Sequence, residues 1–216
     1  MKKTISKEEF CRLNSMFLLE KDLLKKGYKK IAGIDEAGRG PLAGPVVAAC
    51  CILNDFLIEG LNDSKKLDFK KRNEVYEKLK KTKAKFSFAV IDSEVIDKIN
   101  ILNATILAME QAKKQLSEEP DFILVDGLSI PNFKIPTKGI KEGDKISLSI
   151  AAASIIAKCE RDAIMIKYNN IWPKYGFLDN KGYGTKKHME AIKRYGPCKI
   201  HRTSFEPVKS MVKKFI

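Results

Sequence analysis

One stretch limits what this chain can fold into more than any other: Ile31-Ala32-Gly33-Ile34-Asp35-Glu36-Ala37-Gly38-Arg39-Gly40-Pro41-Leu42-Ala43-Gly44-Pro45. Its apolar start predicts a buried central strand over Lys30–Ile34, and the run ends on two adjacent carboxylates. At the carboxyl end of a strand, Asp35 and Glu36 repel each other unless a cation stands beside them. Hard divalent ions bound through carboxylate oxygens, Mg²⁺ or Mn²⁺, are the natural partners. Gly38-Arg39-Gly40 follows at once. Glycine lets the backbone take positive φ and approach a ligand closely, and exposed N–H groups with one guanidinium suit a phosphate or a sugar. The plainer alternative is a tight turn between strands that happens to carry charge.

Two glycine motifs can be set aside. Gly38 to Ala43 formally fits G-x-G-x-x-A, but Pro41 sits inside it. The segment that follows, Val46–Leu53, is apolar and partly β-branched, which predicts a second buried strand rather than a helix. Two acids just ahead of the glycines would also repel a pyrophosphate. No Gly-Lys-Ser/Thr occurs, so a Walker loop is excluded.

The formal net charge of +14 is unevenly spread, with +7 in Ser64–Lys85 and +8 in Lys181–Ile216. Such patches are the footprint of a polyanionic partner, most often nucleic acid; a merely soluble basic surface is the bland alternative. No convincing basic amphipathic helix for a membrane surface is present, and no apolar stretch approaches the ~20 residues of a membrane span. Met1-Lys2-Lys3-Thr4 lacks a signal peptide's apolar region. The five cysteines form no C-x-x-C pair, which predicts free thiols in a reducing cytoplasm. A zinc site is not expected with only His188 and His201 to help.

Taken in order, Ser6–Lys26 predicts a helical extension (residues 1–28), with Ser6 as N-cap and Glu9 completing a capping box, leading into a catalytic domain over 29–216. Asp63 or Ser64 is expected to start a helix running to about Lys81. Lys65 and Lys66 would then lie in its first turn, against the dipole preference for acids there. Lys85–Ile91 reads as a third strand. Asp92 or Ser93 then caps a short helix, and Ile101, Ala104, Ala108, Ala112 and Leu116 trace an amphipathic one ending before Pro120. Phe122–Val125 reads as another buried strand, closed by Asp126 before a glycine. Asp126 is a turn former in isolation and a site residue beside Asp35 and Glu36. Asp144 lies just upstream of a helix of small and apolar residues over Ser147–Lys158, where it can be a turn residue, a helix-flanking acid or a fourth ligand. Asp162 is expected to form an ordinary ion pair beside Arg161. In Lys181-Gly182-Tyr183-Gly184-Thr185-Lys186-Lys187-His188, a tyrosine between glycines can stack on a sugar or base, or merely pack over a turn. The bases of His201-Arg202 are expected to extend the positive face.

The element order predicts an α/β protein with a mixed central sheet and helices on both faces. Asp35, Glu36, Asp126 and Asp144 framed by basic surface fit phosphodiester hydrolysis with two ions about 3.5–4 Å apart.

These motifs resemble a known family. G-I-D-E-A-G-R-G-P-L-A-G-P-V is similar to the signature of the type 2 ribonucleases H, in particular the bacterial ribonuclease HII family. N-D-S-K-K-L, N-I-L-N-A-T, V-D-G, A-A-S-I-I-A-K-x-x-R-D, K-G-Y-G-T and R-T-S-F-E-P-V match in the same order over roughly Lys29 to Val208. The resemblance implies a ribonuclease H-like fold with a helical C-terminal part. It implies cleavage of RNA in RNA–DNA hybrids and, in duplex DNA, on the 5′ side of single embedded ribonucleotides, leaving 3′-hydroxyl and 5′-phosphate ends. It also implies metal binding by Asp35, Glu36, Asp126 and Asp144, with two Mn²⁺ or Mg²⁺ ions. Gly38-Arg39-Gly40 resembles the element that reads the junction 2′-hydroxyl, and Tyr183 the tyrosine that packs on the junction sugar. Arg39, Lys65, Lys66, Lys186 and Lys187 are expected to anchor phosphates. The expected state is a monomer acting on hybrid duplex and ribonucleotide-containing DNA. A non-catalytic hybrid binder has no use for four clustered acids, and a junction resolvase or integrase has no reason to carry the Gly-Arg-Gly and Gly-Tyr-Gly pair.

Overall fold

The computed structural model describes residues 5–54 and 57–212. Its centre is a five-stranded mixed sheet in the order β3-β2-β1-β4-β5, built from β1 (Ile31–Ala37), β2 (Val46–Ile52), β3 (Lys85–Ile91), β4 (Phe122–Asp126) and β5 (Thr137–Ile140). β1 lies in the middle, antiparallel to β2 and parallel to β4. The first four strands fall where apolar and β-branched runs predict them. β1 continues to Ala37, so Asp35 and Glu36 lie within the end of the strand and pair with Ala49 and Ala48 of β2. β5 is not foreshadowed by the sequence.

Strand alternation sorts the sheet into two faces. Ile34, Ala48 and Cys50 pack with Ile96, Ala104 and Ala108 of α4 (Ser93–Gln115). Ala49 and Cys51 pack instead with Ala152, Ala153 and Ile156 of α5 (Leu148–Ile171). Each fully buried isoleucine in these layers contributes about 1.5–3 kcal/mol relative to an exposed one. Gly33 lets α5 come unusually close: a Cβ there would stand 2.1 Å from the Ser149 carbonyl carbon. The predicted short and long helices between Asp92 and Pro120 are present as α4, kinked at Asn100 (φ 65). Asp92 caps the first part by accepting from Val95 N at 2.9 Å, and Asn100 caps the second by accepting from Asn103 N at 3.1 Å.

The predicted N-terminal helix is two helices, α1 (Lys7–Met16) and α2 (Leu18–Lys25), broken at Phe17, which packs against the core. Ser6 caps α1 through Glu9 N. The box is left half-formed, because the Glu9 carboxylate binds Arg12 and Gly60 N instead. Leu13 and Met16 share the core beneath α5. Asp63 does not start a long helix: it caps a 3₁₀ turn over Ser64–Lys66. Leu67 is extended, and Asp68 caps α3 (Phe69–Lys80) by accepting from Lys71 N at 2.8 Å. Lys65 and Lys66 therefore sit in the 3₁₀ turn.

Asp162 forms the expected ion pair with other partners, Lys158 (2.6 Å) and Arg72 (3.3 Å). Adjacent helical residues diverge, whereas positions i and i+4 share a face. The C-terminal part is helical, with α6 (Phe177–Asn180), α7 (Lys186–Tyr195) and α8 (Val208–Val212). Leu42, Ala43, Phe177 and Ile192 share a core cluster there. His201 and Arg202 do not extend the positive face: both are buried, with Arg202 fully enclosed. Residues 1–4 and 213–216, which include Met1-Lys2-Lys3-Thr4 and Lys213 and Lys214 of the second basic stretch, lie outside the described residues. Among the described residues no helix is long and apolar enough to cross a membrane.

Candidate active site

Asp35 and Glu36 end β1, Asp126 ends the parallel neighbour β4, and Asp144 lies in a 3₁₀ turn (Gly143–Lys145) just before α5. Parallel pairing of β1 with β4 brings the two strand ends to the same edge of the sheet. The turn is tied to β4 by Gly143 N donating to Asp126 Oδ1 at 2.7 Å. Asp35 lies on the α5 face, where Ser154 hydrogen-bonds it, and its Oδ1 accepts from Glu36 N at 2.6 Å. Ser154 is itself held by Ser64 Oγ at 2.8 Å.

The acids are electrostatically uncomfortable. Burial raises Asp35 well above the usual carboxylate range, and the charges of Glu36 and Asp126 push the same way. Glu36 is raised by burial, against the opposing pull of Arg39, whose Nη1 lies 3.3 Å from Glu36 Oε1. Asp126 is raised by burial and by Asp144, with Gly143 N and Lys65 opposing. Asp144 is 1% exposed; Lys65 Nζ reaches its Oδ2 at 2.9 Å, while its Oδ1 is buried without a hydrogen-bond partner.

Oxygen donors, excess negative charge and an orphaned buried carboxylate oxygen together fit a hard divalent cation. Among the described residues no three such side chains already converge on a single point.

One cleft holds Asp35, Glu36, Gly38, Lys65 and Tyr183 together. Gly38 has φ +97, and a Cβ there would meet Arg161 Nε at 2.1 Å. Tyr183 is 47% exposed and lies beside Gly40, where an added Cβ would stand 3.9 Å from its ring. Arg39 is exposed at the cleft's rim. Lys66 is exposed without lining this cleft, and Lys186 and Lys187 open α7 along a separate hollow with Gly176 and Asp179.

Two residues without an assigned site role in the sequence reading hold the loop from behind. Arg202 donates to the carbonyls of Gly38, Arg39 and Gly44. Arg161 donates to those of Pro45 (2.9 Å) and Ala43 (3.2 Å). The only sequence signal was an arginine inside each of two of the quoted motifs, A-A-S-I-I-A-K-x-x-R-D and R-T-S-F-E-P-V.

A family model described as Ribonuclease HII matches residues 32–208. A ribonuclease HII of Caldanaerobacter subterraneus subsp. tengcongensis is 50% identical over 198 residues, covering 91% of this chain and 82% of the relative. One of Caldicellulosiruptor saccharolyticus is 51% identical over 190 residues, covering 88% of this chain and 93% of the relative. The crystal structure of the ribonuclease H2 from Pyrococcus horikoshii OT3 superposes with a TM-score of 0.73 at 25% identity, over 87% of this chain and 99% of that one. The sheet topology and flanking helices are thus those of a ribonuclease H-like fold. The chain belongs to the ribonuclease HII family of metal-dependent endoribonucleases.

Proposed function

We propose that this endoribonuclease, whose family acts on RNA–DNA hybrids, also nicks duplex DNA on the 5′ side of a single embedded ribonucleotide. The reading has it act as a monomer and leave 3′-hydroxyl and 5′-phosphate ends. Asp35, Glu36, Asp126 and Asp144 would hold two divalent ions, Mn²⁺ or Mg²⁺. When bound, such ions supply an activated water and charge stabilisation at the departing 3′-oxygen.

The chain's own groups do the rest. Asp35 and Asp126 stand on strand ends, so their carboxyl groups are fixed in place before substrate arrives. Gly38-Arg39-Gly40 presents backbone to the 2′-hydroxyl, the one group that separates RNA from DNA at a given site. Tyr183, half-exposed beside Gly40, packs on the junction sugar. Arg39 and Lys65 anchor phosphates at the cleft, and Lys66, Lys186 and Lys187, which stand outside it, anchor phosphates farther along the duplex, all without reading its sequence.

The observation that carries this reading is one cleft in which buried, mutually repelling acids meet the glycine loop and an accessible tyrosine. Nicking of a single-ribonucleotide duplex by Asp126→Asn is expected to fall by about a thousandfold or more, as when transition-state charge stabilisation is lost. Full metal-dependent activity in that variant would overturn the site assignment. Cleavage of a branched all-DNA substrate would favour a resolvase instead.

A further inference from the structure

His188 and His201 form a buried relay whose proton positions the hydrogen bonds dictate. His188 Nδ1 lies 2.8 Å from Tyr183 O, a pure acceptor, so Nδ1 carries the hydrogen. His201 Nδ1 lies 2.9 Å from Cys198 N and 3.2 Å from Cys198 O; the shorter contact, in which Cys198 N–H donates, leaves that nitrogen bare, so His201 Nε2 carries the hydrogen. The two Nε2 atoms are 3.0 Å apart: His201 donates and His188 accepts. Both rings are thereby neutral and every ring nitrogen is used. Neither ring is accessible to substrate, His188 being 0% and His201 2% exposed.

What the relay joins gives it a purpose. At one end it grips the carbonyl of Tyr183. At the other, His201 forms a β-bridge with Ala43, flanked by Arg202 N donating to Leu42 O and Gly44 N donating to Ile200 O, each 2.8 Å. Leu42 to Gly44 follow Gly38-Arg39-Gly40 with only Pro41 between. A third strut, Leu42 N donating to Gly182 O at 2.8 Å, runs alongside.

We propose that His188 and His201 are positioning residues for ribonucleotide sensing, fixing Tyr183 relative to the Gly38–Gly40 loop so that both close on the same sugar. This rests on the reading that Tyr183 packs on the junction sugar. Misplacing a substrate-orienting group by an ångström costs a large rate factor without abolishing binding.

The test is steady-state nicking of a single-ribonucleotide duplex combined with a mutant cycle. His201→Leu, which removes the donor to His188, is expected to lower kcat about tenfold with KM within about twofold. His201→Gln, whose amide N–H can stand in for Nε2–H, is expected to stay within about threefold of the parent. In a Tyr183→Ala background, His201→Leu should cost less than about twofold, because the group it positions is gone. An undiminished tenfold loss in that background would overturn the proposal while leaving the role of Tyr183 intact. Tyr183→Ala nicking at the parental rate would instead remove the reading beneath it. Long-range ¹H–¹⁵N spectra of the unaltered protein provide a check that needs no variant: His188 protonated at Nδ1 and His201 at Nε2. The opposite tautomers would overturn the relay.

Discussion

Lys65 Nζ stands 2.9 Å from Asp144 Oδ2, a largely exposed ammonium closing on a carboxylate that is 1% exposed. Burial works against the charge of Lys65, but its hydrogen bond to Asp144 and the fields of Asp144, Asp35 and Asp63 outweigh it and raise its pKa above the ordinary value. The lysine thus does, in the protein alone, the charge compensation that a divalent ion does more strongly.

Lys65→Ala therefore removes the only side-chain partner that Asp144 has among the described residues. In chelator, the melting temperature is expected to fall by about 2–6 °C, the consequence of a buried carboxylate losing its partner. At saturating Mn²⁺ the gap to the parent should close. A deficit of equal size with and without metal would show that Lys65 stabilises something other than the acid cluster.

Arg202 is buried among carbonyls rather than acids, and burial drives its pKa down to about 9. Arg202→Met would strand the carbonyls of Gly38, Arg39 and Gly44, at a cost of about 3 kcal/mol or more, readable as a lowered urea midpoint. Arg202→Lys should recover little, because an ammonium lacks the planar fork that serves several carbonyls at once. Recovery to the parental midpoint with lysine would contradict this account of the loop.

The sheet was largely legible in the sequence because four of its strands are apolar or β-branched runs, and three of the four acids interrupt or close such runs. β5 was not, since Thr137-Lys138-Gly139-Ile140 is short, half polar and paired with β4 alone. The break at Phe17 and the 3₁₀ turn at Ser64 are tertiary decisions, made where Phe17 and Leu67 pack on the core. Arg161 and Arg202 were the instructive misses. Charge in a basic chain reads as surface, and only the fold shows these guanidinium groups turned inward onto backbone carbonyls. Asp144 was the acid hardest to place from sequence, for the strand it follows, β5, left no apolar run to mark it; the tie between Gly143 and Asp126 brings it in.

The buried histidines give the stability a pH dependence of definite sign. His201 has an ordinary value of 6.5 and is driven down to about 4, first by burial and then by His188. His188 is lowered as well, mainly by burial. His188, Cys198 and Tyr175 are the titratable groups that face His201. The unfolded chain binds the proton more readily, so this stability is fully present above pH 6.5 and is lost as pH falls towards 4. It amounts to about 3 kcal/mol for His201. The raised acids of the cleft act in the opposite sense, so the readout is the difference between the parent and His201→Gln. That difference should shrink between pH 7 and pH 4; a constant difference would mean that His201 titrates normally, and a growing one that it is charged in the fold.

The most direct measurement maps the cut in a DNA duplex carrying one ribonucleotide, incubated with Mg²⁺ or Mn²⁺ beside an all-DNA control. The account predicts a nick on the 5′ side of the ribonucleotide, with 3′-hydroxyl and 5′-phosphate ends, absent from the control and abolished by chelator. A nick on its 3′ side leaving a 2′,3′-cyclic phosphate would contradict it. That product requires the 2′-hydroxyl as nucleophile, whereas the proposed site holds that hydroxyl against the Gly38–Gly40 loop only to recognise it.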